Sequence, residues 1–328
     1  MVTNSKPILE VKGLKQYFSV GGKSKVKAVD GVDFHIFPGE TYGLVGESGS
    51  GKSTIGRSVI GLYTITAGEV TFLDQRIDGR RSREVDKMLR TKMQMIFQDP
   101  MASLNPRKKV IDIIAQGLDI HGLCASKEER DQRCIEILER VGLSREFANR
   151  YPHQFSGGQR QRIGIARALV MRPELVIADE AISALDVSIQ AQIVQLMKDL
   201  QKELGLSYLF IAHDLSMVKY ISDRIGVLHL GHLLETGTTD EIFSNPIHPY
   251  TRSLLSAIPR PNPVIEKHRQ AIRYDYEQSG LDYNAGKLQQ LEGTHQVLAT
   301  DAELARFIKT AQEKPWTEPA HLISQEED

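Results

Sequence analysis

The sequence contains few cysteines, and none of them lies in a recognisable metal or disulfide pattern. Its 328 residues include two cysteines, Cys124 and Cys134, with no Cys-x-x-Cys pair or Cys/His cluster around them. This usage argues against zinc sites and a disulfide framework, and it is typical of a reducing compartment. Cys134 lies at helical spacing with Ile137, Leu138 and Val141, which predicts a buried position on a helix face.

Long apolar runs and an excess of basic charge are also absent. No stretch approaches the roughly 18 uncharged apolar residues that a membrane-spanning helix needs. The first ten residues lack the apolar segment of a secretory signal. The formal net charge is -1 and the isoelectric point about 6.8, whereas nucleic-acid-binding domains are usually distinctly basic. We therefore expect a chain that stays in water, binds no nucleic acid and reaches any membrane through partners.

The first block of the chain, residues 8–97, alternates short apolar runs with turn signals. This pattern predicts strands, with one helix after Lys52. The basic segment 21–27 is interpreted as a solvated loop between two strands. The predicted strands cover residues 8–14, 32–36, 41–46 and 69–73.

The two following blocks are first helical and then mixed. Residues 99–150 have helical periodicity, and Ser126 followed by Glu129 is a capping signature that predicts the start of a helix. Between Ser156 and Leu230, helices alternate with apolar strands, which implies a parallel sheet covered by helices. The predicted strands of this block cover residues 175–179, 208–213 and 224–230.

The end of the chain is more polar and less patterned. The proline-rich segment 259–263 predicts a domain edge. Thr300 and Glu303 form a second capping signature, which predicts a small helical appendage over residues 300–311. Its predicted apolar face consists of Leu304, Phe307, Ile308 and Ala311.

The strongest local signal is the segment GESGSGKST, residues 46–54, which follows a predicted strand and fits the pattern G-x-x-x-x-G-K-[ST]. Its glycines let the backbone turn so that successive N–H groups point at a phosphate chain, and the helix that follows adds its positive end. Lys52 supplies a charge for the β- and γ-phosphates, and Ser53 a hydroxyl ligand for Mg²⁺. The predicted ATP-binding residues here are Gly46, Glu47, Ser48, Gly49, Ser50, Gly51, Lys52, Ser53 and Thr54.

Two acids end the apolar run LVIADE, residues 175–180. A buried parallel strand would place Asp179 beside the phosphate loop, where it could hold Mg²⁺ through water. Glu180 could then polarise the attacking water as a general base. Taken alone, the two acids also fit a simple strand cap.

A third signal precedes a strong helix pattern. Ser156, Gly157, Gly158 and Gln159 form a turn at the predicted start of a helix, and such a turn is itself an anion site made of backbone amides and a hydroxyl. In isolation the same residues also fit a flexible loop with an ordinary N-cap serine.

Together these motifs resemble the ABC transporter ATPase family over residues 8 to about 260, with every motif in order. SGGQ at 156–159 is similar to the family's signature motif, although Phe155 stands where leucine is commoner, and Ala181 replaces a usual proline. The resemblance implies further roles. Gln98 would contact Mg²⁺ and sense the membrane partner, Asp186 would lie at the dimer interface, and His213 would order the γ-phosphate and the attacking water. Phe18, rather than its neighbour Tyr17, would stack on adenine.

The segments 248–261 and 98–107 are similar to the branch of this family that serves oligopeptide, dipeptide and nickel importers, particularly its F-type subunit. Some members of this branch carry a cysteine cluster for an iron–sulfur centre in the tail. No cysteine follows Cys134 in this chain, so we expect ATP and Mg²⁺ but no iron–sulfur cluster.

The resemblance implies an α/β fold: a RecA-like P-loop core, an antiparallel β subdomain and an inserted helical subdomain near 99–165. The expected domains are a nucleotide-binding domain at 8–260 and an oligopeptide-transporter-type extension at 261–328. Two such proteins would pack head to tail, so that ATP held by one phosphate loop is covered by the partner's Ser-Gly-Gly turn. ATP binding would close the pair, and hydrolysis would reopen it.

The implied partners are two transmembrane permease subunits and a second ATPase subunit, at the cytoplasmic face of the cell membrane. A sister D-type chain is favoured over a second copy of this chain, and an extracellular solute-binding protein acts indirectly. The expected function is an ATPase powering import of oligopeptides or dipeptides. The alternatives are a nickel or other solute, an ABC ATPase without a transporter, a subunit that binds ATP without hydrolysing it, and a small-molecule kinase.

Overall fold

A computed structural model describes residues 6–21, 24–99, 103–258 and 271–316. The strands are β1 Leu9–Ser19, β2 Lys25–Ile36, β3 Thr41–Val45, β4 Ala67–Phe72, β5 Gln75–Arg76, β6 Met93–Ile96, β7 Leu175–Asp179, β8 Ser207–Ile211, β9 Arg224–His229, β10 His232–Thr238, β11 Lys287–Gln290 and β12 Gln296–Ala299. The α-helices are α1 Lys52–Val59, α2 Arg83–Lys92, α3 Val110–Ile114, α4 Gln116–His121, α5 Lys127–Arg140, α6 Gly157–Leu169, α7 Val187–Leu204, α8 Leu215–Ile221, α9 Thr239–Ser244, α10 Pro249–Ser256, α11 Tyr276–Ser279 and α12 Asp301–Glu313. Two 3-10 turns cover Arg145–Asn149 and Pro152–Gln154.

The larger sheet has the strand order β11-β12-β10-β9-β3-β8-β7-β6. Its strands from β9 to β6 run parallel, as the alternation of helices and strands predicts. Every residue of β3, β7 and β8 is buried, because helices cover both faces of a parallel sheet. Parallel strands end at the same edge, so the segments after β3, β7 and β8 lie close together.

The N-terminal part of the chain forms a separate antiparallel sheet with the order β2-β1-β4-β5. The prediction of a loop over 21–27 was wrong for its second half, since β2 begins at Lys25; residues 22 and 23 lie outside the described residues. Lys27 pairs with Tyr17 across the strands and donates to the buried carboxylate of Asp30 at 3.0 Å. A lysine fits this edge strand because its charged end reaches a paired acid while its backbone joins the ladder.

Helices α3 to α6 form a block between β6 and β7. Ser126 caps α5 by accepting from the Glu129 N–H, and Cys134 is 1 % exposed, so both predictions are confirmed. Arg130 bonds Asp112 and Asp119, which ties α3 and α4 to α5. With the phosphate-loop core and the antiparallel sheet, this block completes the predicted fold class, which is confirmed.

The C-terminal part is more than a helical appendage. The predicted helix is present as α12, with Thr300 and Glu303 in a reciprocal capping box. Phe307 is buried, but Ile308 is 36 % exposed, so its place on the packed face was wrong. The unpredicted hairpin β11–β12 joins the larger sheet, because β12 pairs antiparallel with β10. The proline-rich segment 259–263 lies outside the described residues.

None of the helices in the described ranges combines the length and the apolar character needed to cross a bilayer.

Candidate functional site

The loop between β3 and α1 has a shape that only glycine permits at two positions. Gly46 and Gly51 have φ angles of 150° and 106°, which L side chains rarely adopt. A Cβ on Gly46 would also collide with the carbonyl oxygen of Leu228, and one on Gly51 with that of Ala28. The loop therefore lies directly against the backbones of β9 and β2.

Lys52 fills the inside of this loop and is 3 % exposed. Its Nζ donates to the carbonyl oxygens of Gly46 at 2.7 Å and Glu47 at 2.8 Å. Burial lowers the pKa of Lys52, and the carboxylates of Glu180 and Asp179 oppose that shift. Among the described residues no carboxylate forms an ion pair with it, so its charge is available to an anion.

Asp179 ends β7 and reaches α1. It is 1 % exposed, and its Oδ1 accepts from the Ser53 hydroxyl at 2.6 Å while its Oδ2 pairs with Arg57 at 3.2 Å. Arg57 lies one turn after Ser53 on the same helix, so α1 supplies both partners. The arrangement places a serine and a carboxylate oxygen side by side, which is the donor chemistry that Mg²⁺ prefers.

Glu180 has a left-handed backbone with φ of 48°. Such strain at a non-glycine residue costs about 1–3 kcal/mol and is concentrated at functional sites. Its N–H bonds the carbonyl oxygen of Ile211 at 2.9 Å, which aligns the ends of β7 and β8. Its Oε2 accepts from Gln98 Nε2 at 2.7 Å, so the structure brings these two predicted residues together.

His213 and Phe18 lie near the ends of other strands. His213 is exposed two residues after β8, beside the ends of β3 and β7. Phe18 is in β1 and contacts Tyr63 edge to face, with ring centroids 5.3 Å apart. Tyr17, the alternative, uses its hydroxyl to bond Asp30.

The SGGQ turn lies at the start of α6. Ser156 is exposed, and its hydroxyl accepts from the N–H of Gln159 at 3.3 Å, while Gln159 Oε1 accepts from the Ser156 N–H at 3.0 Å. A Cβ on Gly158 would lie 2.7 Å from Ile189, so the turn packs against α7. Asp186, at the N-cap position of α7, is exposed and makes no capping bond. In the described ranges no hydrogen bond joins residues 156–159 to residues 46–54.

A cleft of about 890 Å³ separates the core from the helical block. Gln98 lines it, together with apolar side chains that are unusually exposed: Leu62 at 58 %, Phe97 at 37 % and Ile120 at 70 %. Of the predicted segment 98–107, Gln98, Asp99 and Ser103 line the cleft, and residues 100–102 lie outside the described part. The cleft thus leads from the surface to the residue that bonds Glu180.

Sequence reasoning missed two site contacts. Arg57 could have been found, since it lies four positions after Ser53 on one helix face. The contact between Tyr250 and the Glu47 N–H, at 3.1 Å, spans 203 positions and has no local signal.

Comparison with known proteins agrees with this geometry. Residues 29–183 match the family model of the ABC transporter, and residues 234–280 match that of the oligopeptide/dipeptide transporter C-terminal region. The chain is 60% identical over 301 residues to the oligopeptide transport ATP-binding protein OppF of Bacillus subtilis, covering 92% of this chain and 98% of the relative. It is 53% identical over 312 residues to the dipeptide transport ATP-binding protein DppF of Lactococcus lactis, covering 94% and 99%.

Among solved structures, a dimeric ATP-binding cassette in a post-hydrolysis state bound to ADP and Pi matches with a TM-score of 0.64 and 31% identity. The match covers 70% of this chain and 98% of that cassette. The ordered motifs, the assembled loop and these matches lead to one conclusion: the chain belongs to the ABC transporter ATPase family, in the branch with the oligopeptide/dipeptide transporter C-terminal region.

Proposed function

We propose that this ATPase powers the import of oligopeptides or dipeptides, as a peripheral subunit at the cytoplasmic face of the cell membrane. The relatives at 60% and 53% identity carry oligopeptide and dipeptide transport in their names, and the match runs through nearly their whole length. The solute itself is selected outside this chain, by the permease subunits and an extracellular solute-binding protein that acts indirectly.

The phosphate loop binds the triphosphate of ATP. Its backbone N–H groups and the start of α1 surround the phosphates. Lys52 exchanges its bonds to the Gly46 and Glu47 carbonyl oxygens for bonds to the β- and γ-phosphates. Phe18 stacks on the adenine. Mg²⁺, when bound, neutralises charge on the phosphates, and Ser53, Asp179 and Gln98 are the oxygen donors that would hold it.

Glu180 is the general base of hydrolysis. Its carboxylate receives a proton from the attacking water as the water oxygen bonds the γ-phosphorus and the bond to the bridging β-phosphate oxygen breaks, so that ADP leaves. The bond from Gln98 fixes the direction of that carboxylate, and the backbone bond to Ile211 fixes its strand end. His213, just beyond β8, orders the γ-phosphate and the water.

The second ATPase subunit completes the site. The Ser156 turn caps its own helix and makes no bond to its own phosphate loop in the described ranges, which supports a role for it in the site of another chain. A sister D-type chain is the expected partner, otherwise a second copy, and the dimeric cassette bound to ADP and Pi supports this arrangement. The trans donors stabilise charge on the γ-phosphate in the transition state.

The observation that carries the transporter proposal is the position of Gln98. Its side chain lines the exposed cleft and at the same time bonds the general base. A permease helix that fills the cleft would therefore change the alignment of Glu180. Two permease subunits would engage one cleft on each ATPase.

The test is assembly with the permease subunits of an oligopeptide or dipeptide importer. We expect the isolated protein to be mostly monomeric with low ATPase activity, and the assembled transporter to be much faster. Phe97→Asp, in the cleft wall, should lower the stimulated rate, while the control Ile308→Asp on α12 should leave it unchanged, since both side chains are similarly exposed. Full activity of the isolated monomer would favour an ABC ATPase without a transporter. Stimulation by nickel and not by peptides would identify the solute as nickel.

A further inference from the structure

A buried tyrosine from the C-terminal part of the chain contacts the phosphate loop. Tyr250, on α10, is 1 % exposed, and its hydroxyl oxygen accepts a hydrogen bond from the Glu47 N–H at 3.1 Å. Glu47 is the residue whose carbonyl oxygen accepts from Lys52 at 2.8 Å. The same peptide segment thus joins the tyrosine on one side and the phosphate-binding lysine on the other.

The ring of Tyr250 packs against a histidine of the larger sheet. It stacks on the imidazole of His229 with centroids 4.1 Å apart and an angle of 29° between the planes. His229 is the last residue of β9, directly after Leu228, whose carbonyl oxygen lies against Gly46. Burial lowers the pKa of His229 to about 4, so the imidazole is neutral at pH 7. The ring of Tyr250 and the phosphate loop at Gly46 therefore both pack against the end of β9.

The turn that presents Tyr250 is fixed by a buried carboxylate. Glu235 in β10 is 0 % exposed and accepts from the N–H groups of Ile247 at 2.7 Å and His248 at 3.0 Å. His295, from the turn between β11 and β12, contacts its Oε1 through Nε2 at 2.7 Å. A buried carboxylate requires such partners, because leaving it unpaired is strongly unfavourable.

These contacts form a chain from the hairpin β11–β12 to the phosphate loop, through His295, Glu235, the turn at 247–248 and Tyr250. We propose that Tyr250 is a positioning residue that sets the conformation of the phosphate loop at Glu47, so that nucleotide affinity depends on the packing of the C-terminal region. The proposal rests on the proposed role of residues 46–54 in binding ATP.

The contact acts on affinity for a simple reason. Lys52 and the loop amides must be in place before ATP arrives, and a loop that samples other conformations binds in proportion to its competent fraction. Removing one hydrogen bond of this kind reduces the population of the bound-like loop. We expect a 3- to 10-fold weaker Kd, about the size of one net hydrogen bond.

The experiment compares Tyr250→Phe with Tyr274→Phe in the full chain, using ATP as the probe. Tyr250→Phe keeps the ring on His229 and removes only the hydroxyl. Tyr274 belongs to the same cluster, but its hydroxyl contacts Tyr283 at 2.8 Å and not the loop. ATP affinity should fall 3- to 10-fold in Tyr250→Phe alone. In the assembled transporter its KM should rise while kcat at saturating ATP stays unchanged.

Two further measurements test whether the variants fold and whether the contact between His295 and Glu235 also affects ATP affinity. The single tryptophan, Trp316, donates through Nε1 to the Phe243 carbonyl oxygen at 2.9 Å, so an unchanged emission spectrum shows that the C-terminal region is packed. His295→Gln should weaken ATP binding in the same direction without changing kcat. Equal ATP affinity of wild type and Tyr250→Phe would overturn the proposal and leave the nucleotide site intact. No ATP binding by wild type would overturn the role of the loop itself, and the proposal with it.

Discussion

Two regions of this protein are proposed to bind phosphate, and they differ in how much of their surroundings the chain supplies. The phosphate loop encloses its lysine, since Lys52 is 3 % exposed, and its Ser53 bonds Asp179, while Glu47, Ser48 and Gly49 are exposed. Ser156 is exposed, and within the described ranges its hydrogen bonds go to Gln159 and Arg160 in the first turn of α6. Lys52 and Ser53 in the first region are held by contacts within one chain, whereas Ser156 in the second is exposed. The difference is what the proposed head-to-tail dimer requires, in which one chain contributes to two separate sites.

The largest expected effect follows from removing the charge of the enclosed region. Lys52→Ala should abolish ATP binding by this chain, because it deletes the cation inside the loop. Losing a buried charged partner costs about 2–5 kcal/mol, or roughly 30-fold to several thousand-fold in Kd. The measurement is the Kd for ATP, with Lys92→Ala as a control, since Lys92 pairs with Glu174 away from the site. Tight binding by Lys52→Ala would place the phosphates elsewhere.

The next effect separates binding from chemistry within the enclosed region. Glu180→Gln should leave ATP affinity intact and slow hydrolysis by about 10²–10⁴-fold, because the amide cannot accept the proton. The side chain keeps an oxygen for the bond from Gln98, so the geometry is retained. Single-turnover hydrolysis in the assembled complex measures the rate. Near-normal turnover would show that Glu180 is not the general base. It would favour a subunit that binds ATP while its partner hydrolyses it.

A smaller effect tests whether the Ser156 turn is independent of the phosphate loop of its own chain. Gln159→Ala deletes the acceptor for the Ser156 N–H and should cost about 0.5–1 kcal/mol of stability at the start of α6. ATP affinity of the same chain should not change. Denaturant unfolding and ATP titration of one preparation give both numbers. A large loss of the chain's own ATP affinity would show that the phosphate loop and the Ser156 turn line one pocket.

The site was predictable wherever each motif follows a buried strand. The runs ending at Val45, Asp179 and Ile211 are apolar and short, so their order predicts a parallel sheet, and parallel strands bring the following residues to one edge. Glu180 lies beside Gln98 because β6, a strand that the sequence analysis did not predict, runs parallel to β7. The position of Arg57 beside Asp179 could also have been predicted, because Arg57 lies one helical turn after Ser53 on α1.

The remaining features depend on long-range pairing that leaves no local pattern. Strand β11 has the sequence KLQQ, which lacks apolar alternation, and its place in the sheet is determined by β12. The bond between Glu235 and His295 joins residues 60 positions apart. Ile308 is four positions from Leu304 and three from Ala311, which are both half-buried, yet it faces outward because the buried residue of α12 is Phe307.

The most direct test of the comparison is photo-crosslinking of labelled ATP to each chain of the assembled complex, with ATPase rates measured in parallel. Ser156→Arg should leave ATP labelling of its own chain nearly unchanged. It should block closure over the partner's ATP and reduce the rate by more than the roughly 10²–10³-fold typical of one lost transition-state donor. Lys52→Ala should abolish labelling of its own chain only. If Ser156→Arg removed ATP from its own chain, both regions would line one pocket, and the head-to-tail dimer would be contradicted.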